Sequence, residues 1–379
     1  MNHIEIIITI LLLLMVVPDL CARLGRPALA YSAYVLAGMA VGPLTAPEIS
    51  QPMIMAGQVG FLLLLFEVGL EIDLPSWRDL RRPLWQAGLW FGLQIPLIVA
   101  FAHFVGFSRL EGLLAASALT ACSIGMAHAA WKTHPGLAAG NREELLRLMV
   151  VLETMAIVLL SVEGTMLTTG FTWRLGAQLG GVCLVIWVIS RLSPRLSSLF
   201  QLILEKTTHW RVHLVALLVF LICAVGQRFG LSGPKTAFFL GLFLSRIRHD
   251  GRNLEEYIAP ISRRLLIPLF FFSLGLRVDL TPLAGWALPM AAGAGVFLVV
   301  YRLVITPGLV RLPGGARASL LLGPNLPIAA LAADLLLQNH ARADLASGLL
   351  VISLVMTIGA LWLVPKAETV AASVSSAGK

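Results

Sequence analysis

Charge is scarce in this chain: only 13% of its 379 residues are Asp, Glu, Lys or Arg, where a soluble domain carries about 25%. No polar stretch is long enough to form a soluble domain, which leaves one integral membrane domain as the economical reading. Cysteine is also sparse. Cys21, Cys122, Cys183 and Cys223 sit in or beside apolar runs without paired spacing, which excludes a disulfide framework and a Cys-based metal site. His-Glu-x-x-His, Cys-x-x-Cys, Gly-x-Ser-x-Gly and P-loop patterns are all missing. Their absence argues against a membrane enzyme and an ATP-driven pump, and no cofactor is expected.

What is present is apolar. Hydrophobic residues make up 58% of the chain, and the mean hydropathy is +0.86. The formal charge of +8 does not point to nucleic acid, because the basic residues lie in short loops between apolar runs. The first run, Ile4 to Val17, lacks a basic flank and a good cleavage context, so it reads as a helix and not a signal peptide. A spanning helix needs about 20 mostly apolar residues. On that measure roughly thirteen segments emerge: 4–22, 28–45, 53–71, 84–105, 110–131, 145–168, 174–190, 211–228, 233–246, 258–276, 284–310, 316–339 and 346–364. The fold class is therefore all-α and integral to the membrane, with one domain over 1–366 and a short cytoplasmic tail at 367–379.

Most of the 28 Lys and Arg fall in alternate loops; Arg109, Arg174, Arg228, Lys235, Arg277 and Arg342 are the exceptions on the other side. The positive-inside rule then places the N-terminus outside and the C-terminus inside. An odd helix count with opposite termini permits two inverted repeats plus one extra helix. Two segments in matching places support this arrangement. Segment 110–131 carries Thr120-Ala-Cys-Ser-Ile-Gly125 at its middle, and segment 316–339 carries Gly323-Pro-Asn-Leu-Pro327 in its first half. Both are poor helix centres, since proline removes a backbone donor and short polar side chains bond to local carbonyls. Broken helices at membrane depth occur where protein or water satisfies the freed backbone.

Ionisable residues inside the apolar runs call for an explanation, because each costs several kcal/mol by insertion scales. Glu153 and Arg302 each lie about eight residues from the inner end of their segments, roughly 12 Å deep. Equal depth makes them natural partners, either as a structural salt bridge or as a titratable site. Glu67 is a possible secondary acid. Glu163 is placed near the outer end of its helix and is expected to be wet, and Asp334 is expected to be solvated or locally paired. His103 and His128 read as packed or interfacial.

Three strings then appear in family order: 23–43 (Arg-Leu-Gly-Arg-Pro…Val-Gly-Pro), 60–74 (Gly-Phe-Leu-Leu-Leu-Leu-Phe-Glu-Val-Gly-Leu-Glu-Ile-Asp-Leu), and 237–245 followed by 267–280 (Ile-Pro-Leu-Phe-Phe-Phe-Ser-Leu-Gly-Leu-Arg-Val-Asp-Leu). They resemble the membrane domain of the monovalent cation:proton antiporter superfamily, in its Kef-type and NapA-type sodium/hydrogen exchanger branches. The resemblance runs from about residue 20 to 364. It implies a 13-helix fold with crossed broken helices, a dimerisation part, a six-helix core that moves as an elevator, and a homodimer in the inner membrane. It further implies that segment 145–168 carries the acidic ion ligand and that the helix of Arg302 supplies its basic partner.

The chain departs from that pattern at the ion site. A pair ending in Asp is expected where it reads Leu152-Glu153-Thr154, a Lys is usual where it has Arg302, and a Gly-Glu pair is usual where it has Gly-Pro-Asn-Leu-Pro. The nucleotide-binding domain that Kef-type proteins carry after the membrane part has no counterpart in these residues. The expected mechanism is competition of a proton and a monovalent cation, Na+ or K+, for Glu153. Thr154, Thr120, Ser123, Asn325 and backbone carbonyls would complete the cation's shell, and Arg302 would hold the empty carboxylate. A single carboxylate favours electroneutral exchange. Two alternatives stay open: an anion or organic-acid transporter with a positive site at Arg302, and a non-transporting scaffold or sensor with a frozen ion site.

Overall fold

The computed structural model describes residues 3–45, 47–71, 77–134, 137–169, 180, 191, 198, 211–228, 233–245, 248–249, 252–254, 259, 262–279, 281, 283, 285–312, 315–338 and 343–365. Apart from residue 180, the segment expected at 174–190 lies outside the described residues, as does the tail at 367–379. The helices are α1 (His3–Arg23), α2 (Ala30–Val41), α3 (Pro47–Glu71), α4 (Trp77–Val105), α5 (Arg109–Thr120), α6 (Ile124–Thr133) and α7 (Ala139–Thr169). They continue with α8 (Arg211–Arg228), α9 (Gly233–Leu244), α10 (Ile267–Leu276), α11 (Ala287–Val304), α12 (Thr306–Val310), α13 (Leu326–Gln338) and α14 (Ala343–Leu363). A two-residue antiparallel pair, Arg248–His249 with Arg252–Asn253, is the one β element among the described residues. By length and composition, eight helical stretches among the described residues suffice to cross a membrane.

The helix pattern departs from the predicted one where backbone geometry intervenes. Segment 110–131 is two helices, α5 and α6, separated by extended residues at Ala121 and Ser123. Segment 316–339 divides into a 3-10 turn, Ala316–Leu322, and α13. Segment 258–276 appears as a π turn, Ser262–Leu266, leading into the ten-residue α10. Helix α7 starts earlier than expected and runs 31 residues without a break.

The chain divides into two compact units. The first comprises 43–74 and 168–274. Its core joins α3, α8 and α9 through Leu63, Phe66, Leu70, Val215, Val219, Cys223 and Leu240. Glycine permits the closest approach: a Cβ on Gly241 would sit 2.1 Å from the Phe66 carbonyl oxygen, and one on Gly69 would sit 2.3 Å from that of Phe238. Small residues facing each other are how apolar helices gain contact where no hydrophobic drive separates them from their solvent.

The second unit comprises 2–42, 75–167 and 275–379. Within it α4 packs along α5, and α14 packs along both α11 and α13. Helix α11 shows why these helices suit a bilayer. It buries Gly295, Leu298, Val299 and Arg302 on one face while exposing Val296, Phe297, Val300 and Val304 on the other. That apolar outer face would be penalised by water. The candidate site lies entirely in this unit.

Candidate functional site

The site is built on two interrupted helices. Helix α5 starts firmly, with a capping box in which Ser108 and Glu111 each accept the other's backbone N–H. It stops at Thr120, and the chain turns extended through Ala121 to Ser123 before α6 begins at Ile124. The second interruption runs from Gly323 to Asn325, between the 3-10 turn and α13. The two breaks bond to each other: Ser123 N–H donates to the Pro324 carbonyl at 2.6 Å, and the Cys122 thiol donates to the Leu321 carbonyl at 3.5 Å. Proline at 324 and 327 leaves that strand short of donors, so its carbonyls must be satisfied from outside the helix. At Gly323 an added Cβ would meet the Ala360 Cβ at 2.3 Å, which fixes the residue as glycine if α14 is to pack there.

Interrupted helices leave orphan carbonyls at one end and orphan N–H groups at the other. Arg302 serves the first kind. Its side chain, 1% exposed, donates four hydrogen bonds: Nη2 to the Leu119 carbonyl, Nη1 to the Leu322 and Gly323 carbonyls at 3.1 and 3.4 Å, and Nε to Gln94 Oε1 at 2.8 Å. Its guanidinium lies 5.1 Å from the Trp90 ring centroid, and Trp90 Nε1 donates to the Thr120 carbonyl at 2.9 Å. Positive charge thus sits where the C-terminal ends of α5 and the 3-10 turn converge, the favourable end of each helix dipole for a cation. The ion pair with Glu153 expected from equal depth does not form: these acceptors, not the carboxylate, take the arginine's donors.

Glu153, fully buried on α7, serves the second kind. Its Oε2 accepts the backbone N–H of Ile124 at 2.9 Å, the first residue of α6. A carboxylate at a helix N-terminus is held by both the bond and the dipole. Ser123 occupies the N-cap position of α6 but makes no side-chain cap bond. Its Oγ and the Oγ1 of Thr120, both buried, find no hydrogen-bond partner among the described residues. The break between α5 and α6 therefore carries Thr120 and Ser123 and is bonded to Glu153.

Asn325 and Thr154 fare differently. Asn325 is also fully buried, but its amide is engaged at both ends: Nδ2 donates to the Leu119 carbonyl at 2.7 Å, and Oδ1 accepts from Ser353 at 2.7 Å. Its backbone N–H donates to Thr357 Oγ1 at 3.4 Å. This residue ties the two breaks to α14. Thr154 is half-buried and makes no hydrogen bond to either break. Glu67 belongs to the first unit, where its carboxylate accepts from Ser262 and pairs with Arg263 at 3.1 Å. Asp334 is paired with Arg277.

The chain matches the family described as "Sodium/hydrogen exchanger, transmembrane" over residues 7–367. It belongs to that family. Among relatives of this exchanger, probable Na(+)/H(+) antiporter 3 of Methanocaldococcus jannaschii is 24% identical over 279 residues, covering 72% of this chain and 70% of the relative. The K(+)/H(+) antiporter subunit KhtU of Bacillus subtilis is 25% identical, covering 72% of this chain and 68% of the relative. The glutathione-regulated potassium-efflux protein KefC of Salmonella typhimurium is 25% identical over 65% of this chain, which matches only 41% of KefC's length. The solved structure of the sodium proton antiporter MjNhaP1 from M. jannaschii at pH 8 superposes with a TM-score of 0.69, covering 97% of this chain and 96% of that one at 16% identity. That likeness establishes the fold.

Several residues around the two breaks were not singled out from sequence. Gln94 and Trp90 on α4, and Ser353 and Thr357 on α14, all face the breaks. Gln94 had a usable signal, being an amide in the middle of an apolar run; Ser353 and Thr357 had none, because helical hydroxyls bond locally as a rule. Glu163 reverses its expectation. It is only 3% exposed, and its Oε1 accepts from Ser117 Oγ at 2.7 Å.

Proposed function

We propose that this protein is a secondary transporter that exchanges a proton for a monovalent cation across the membrane, with Glu153 carrying either one. The observation that bears most weight is the buried Glu153 carboxylate at the N-terminus of α6, at a break whose Thr120 and Ser123 hydroxyls have no hydrogen-bond partner among the described residues. A carboxylate with hydroxyl oxygens is the hard donor set that Na+ or K+ accepts in place of water. Family membership supports the same reading, as do relatives named for sodium/proton and potassium/proton antiport.

In the cycle, Glu153 releases its proton on one side and takes a cation with Thr120 and Ser123; backbone carbonyls of the breaks complete the shell. Arg302 holds the carbonyl ends of the half-helices together and keeps its charge throughout. The net charge moved per cycle then depends on Glu153 alone, which favours one-for-one, electroneutral exchange. An anion transporter would need Arg302's donors for its ligand, and four of the five are committed to three carbonyls and Gln94. The remaining assignments belong to the same reading: transport without bond-making chemistry, a plasma-membrane location with N-terminus out and C-terminus in, and a homodimer whose subunits each carry a dimerisation part and a mobile core.

The test is proton flux in proteoliposomes under an imposed pH gradient, with sodium, potassium and lithium added in turn. One cation is expected to dissipate the gradient at a rate insensitive to membrane potential. Glu153→Gln is expected to abolish the response while the protein remains folded. Undiminished exchange by that variant would remove Glu153 from the mechanism.

A further inference from the structure

Glu163 is a buried acid that the exchange cycle above does not use. One of its carboxylate oxygens accepts from Ser117; the other, Oε2, is buried without a hydrogen-bond partner among the described residues. Burying a carboxyl for one serine hydrogen bond is a poor structural bargain. A net hydrogen bond contributes about 1 kcal/mol, while each buried oxygen left unsatisfied costs about 1–3 kcal/mol. A leucine or glutamine would hold α7 to α5 at lower cost. An acid retained under these conditions inside a membrane helix is a functional residue by default.

Its position says what that function is. Glu153 and Glu163 are ten residues apart on α7, about 15 Å along the axis. Between them, on the neighbouring α5 and its break, lie Ser117, Thr120 and Ser123, at steps of three residues and all buried. Hydrogen bonds fasten both ends of this row to the two acids: Ser117 to Glu163 at 2.7 Å, and Ile124, adjoining Ser123, to Glu153 at 2.9 Å. Ser117 and Thr120 share a face of α5. The two inner hydroxyls have no hydrogen-bond partner among the described residues, and a hydroxyl both donates and accepts. Water spans gaps of the size that three-residue steps leave.

Among the described residues no charged group pairs with Glu163. From α5 it meets Ser117. From α13, Leu335 lies 3.0 Å from where a Cβ of Gly164 would stand, and the adjoining Asp334 is already paired with Arg277.

We infer that Glu163 is a second proton station. It accepts a proton from the side faced by the C-terminal end of α7 and passes it along Ser117, Thr120 and Ser123 to the Glu153 carboxylate. The transfer breaks the O–H bond of Glu163 and forms one at Glu153, so no other reactant is consumed. This deepens the exchange reading and rests on it.

Two fluxes in proteoliposomes separate the roles. Proton-coupled exchange requires both acids, whereas tracer cation-for-cation exchange at equal pH requires only Glu153. In Glu163→Gln, proton-coupled exchange is expected to fall about tenfold or more, the lower range for removing a proton-transfer group, with tracer exchange near wild type. Ser117→Ala is expected to show the same split at about threefold to fivefold, the size of one hydrogen bond. It decides the matter if the glutamate variant does not fold. Both fluxes unchanged, or both falling together, would overturn the station while leaving exchange at Glu153 intact. A wild-type protein that exchanges no cation at all sinks the exchange reading, and the station with it.

Discussion

Replacing Arg302 with methionine tests whether this residue pins the two broken helices or answers Glu153. The side chain donates four hydrogen bonds, three to backbone carbonyls and one to Gln94. Hydrogen bonds to a charged group contribute about 1.5–3 kcal/mol each, so the four together would suggest roughly 6–12 kcal/mol. That sum overstates the loss, because removing a buried charge also returns its desolvation penalty of several kcal/mol. The expected net cost is about 3–5 kcal/mol, the range seen when a buried charged network loses one member. Apparent melting temperature in detergent should fall by about 5–10 °C, taking about 2 °C per kcal/mol for a chain of this size. Arg302→Lys keeps the charge but loses the planar fork that reaches separate acceptors, and should fall between wild type and Arg302→Met. The discriminating measurement is the double variant with Glu153→Gln. If Arg302 pairs with the carboxylate, neutralising both restores much of the stability lost by Arg302→Met. If it caps helix ends, the two losses add to within about 0.5 kcal/mol. Rescue in the double variant, or an Arg302→Met protein as stable as wild type, would refute the capping argument.

Asn325→Ala should cost about 1–3 kcal/mol, since it leaves the buried Ser353 hydroxyl without its acceptor and removes one of two donors from the Leu119 carbonyl, which Arg302 still serves. Asn325→Asp should not restore the loss in thermal unfolding, because it keeps the acceptor for Ser353 but removes the donor to Leu119. His134, at the C-terminal end of α6, is held below its ordinary value of 6.5 by burial first and by Arg142 and Arg317 next. The unfolded chain therefore binds a proton that the folded chain resists: this contribution is complete above 6.5 and lost as pH falls through the folded-state value. Melting temperature followed from neutral to mildly acid pH should decline less steeply in His134→Gln than in wild type.

The polytopic helical fold was legible because lipid and water select opposite compositions, and long apolar runs announce themselves. The two breaks were legible for a different reason: Thr120-Ala-Cys-Ser and Gly-Pro-Asn-Leu-Pro contain residues that cannot continue a helix cheaply. Those two signals marked the breaks and an apolar run marked Glu153, but only the family resemblance put the acid beside Thr120 and Ser123. Equal depth did not decide contact between Glu153 and Arg302, because depth along two helices says nothing of rotation about them or of competing acceptors. Asn325 was read as an ion ligand from its chemistry, and only the positions of Leu119 and Ser353 show its amide already engaged. Glu163 was misjudged by the same measure, since distance from a helix end does not give burial when a neighbouring helix covers that end.

Read from its helix ends, the site's electrostatics do not depend on its two charges meeting. Arg302 sits against the carbonyl ends of α5 and the 3-10 turn, and Glu153 sits against the N–H end of α6. Each charge is stabilised by dipoles that belong to the breaks themselves, and a straight helix through either point would offer no such groups. The separation matters for transport. A basic residue paired with the carboxylate loses its partner each time a proton or cation binds, and must itself change state or be left unpaired in a region of low dielectric. In the proposed cycle Arg302, whose acceptors do not include Glu153, would keep them whichever ligand Glu153 carries. Loading Glu153 with a proton and loading it with a monovalent cation then leave the same charge in the site, so neither loaded form is favoured by the rest of the helix ends. That equality is what one-for-one exchange requires. With the arginine satisfied by backbone carbonyls and Gln94, no further carboxylate is needed to balance it.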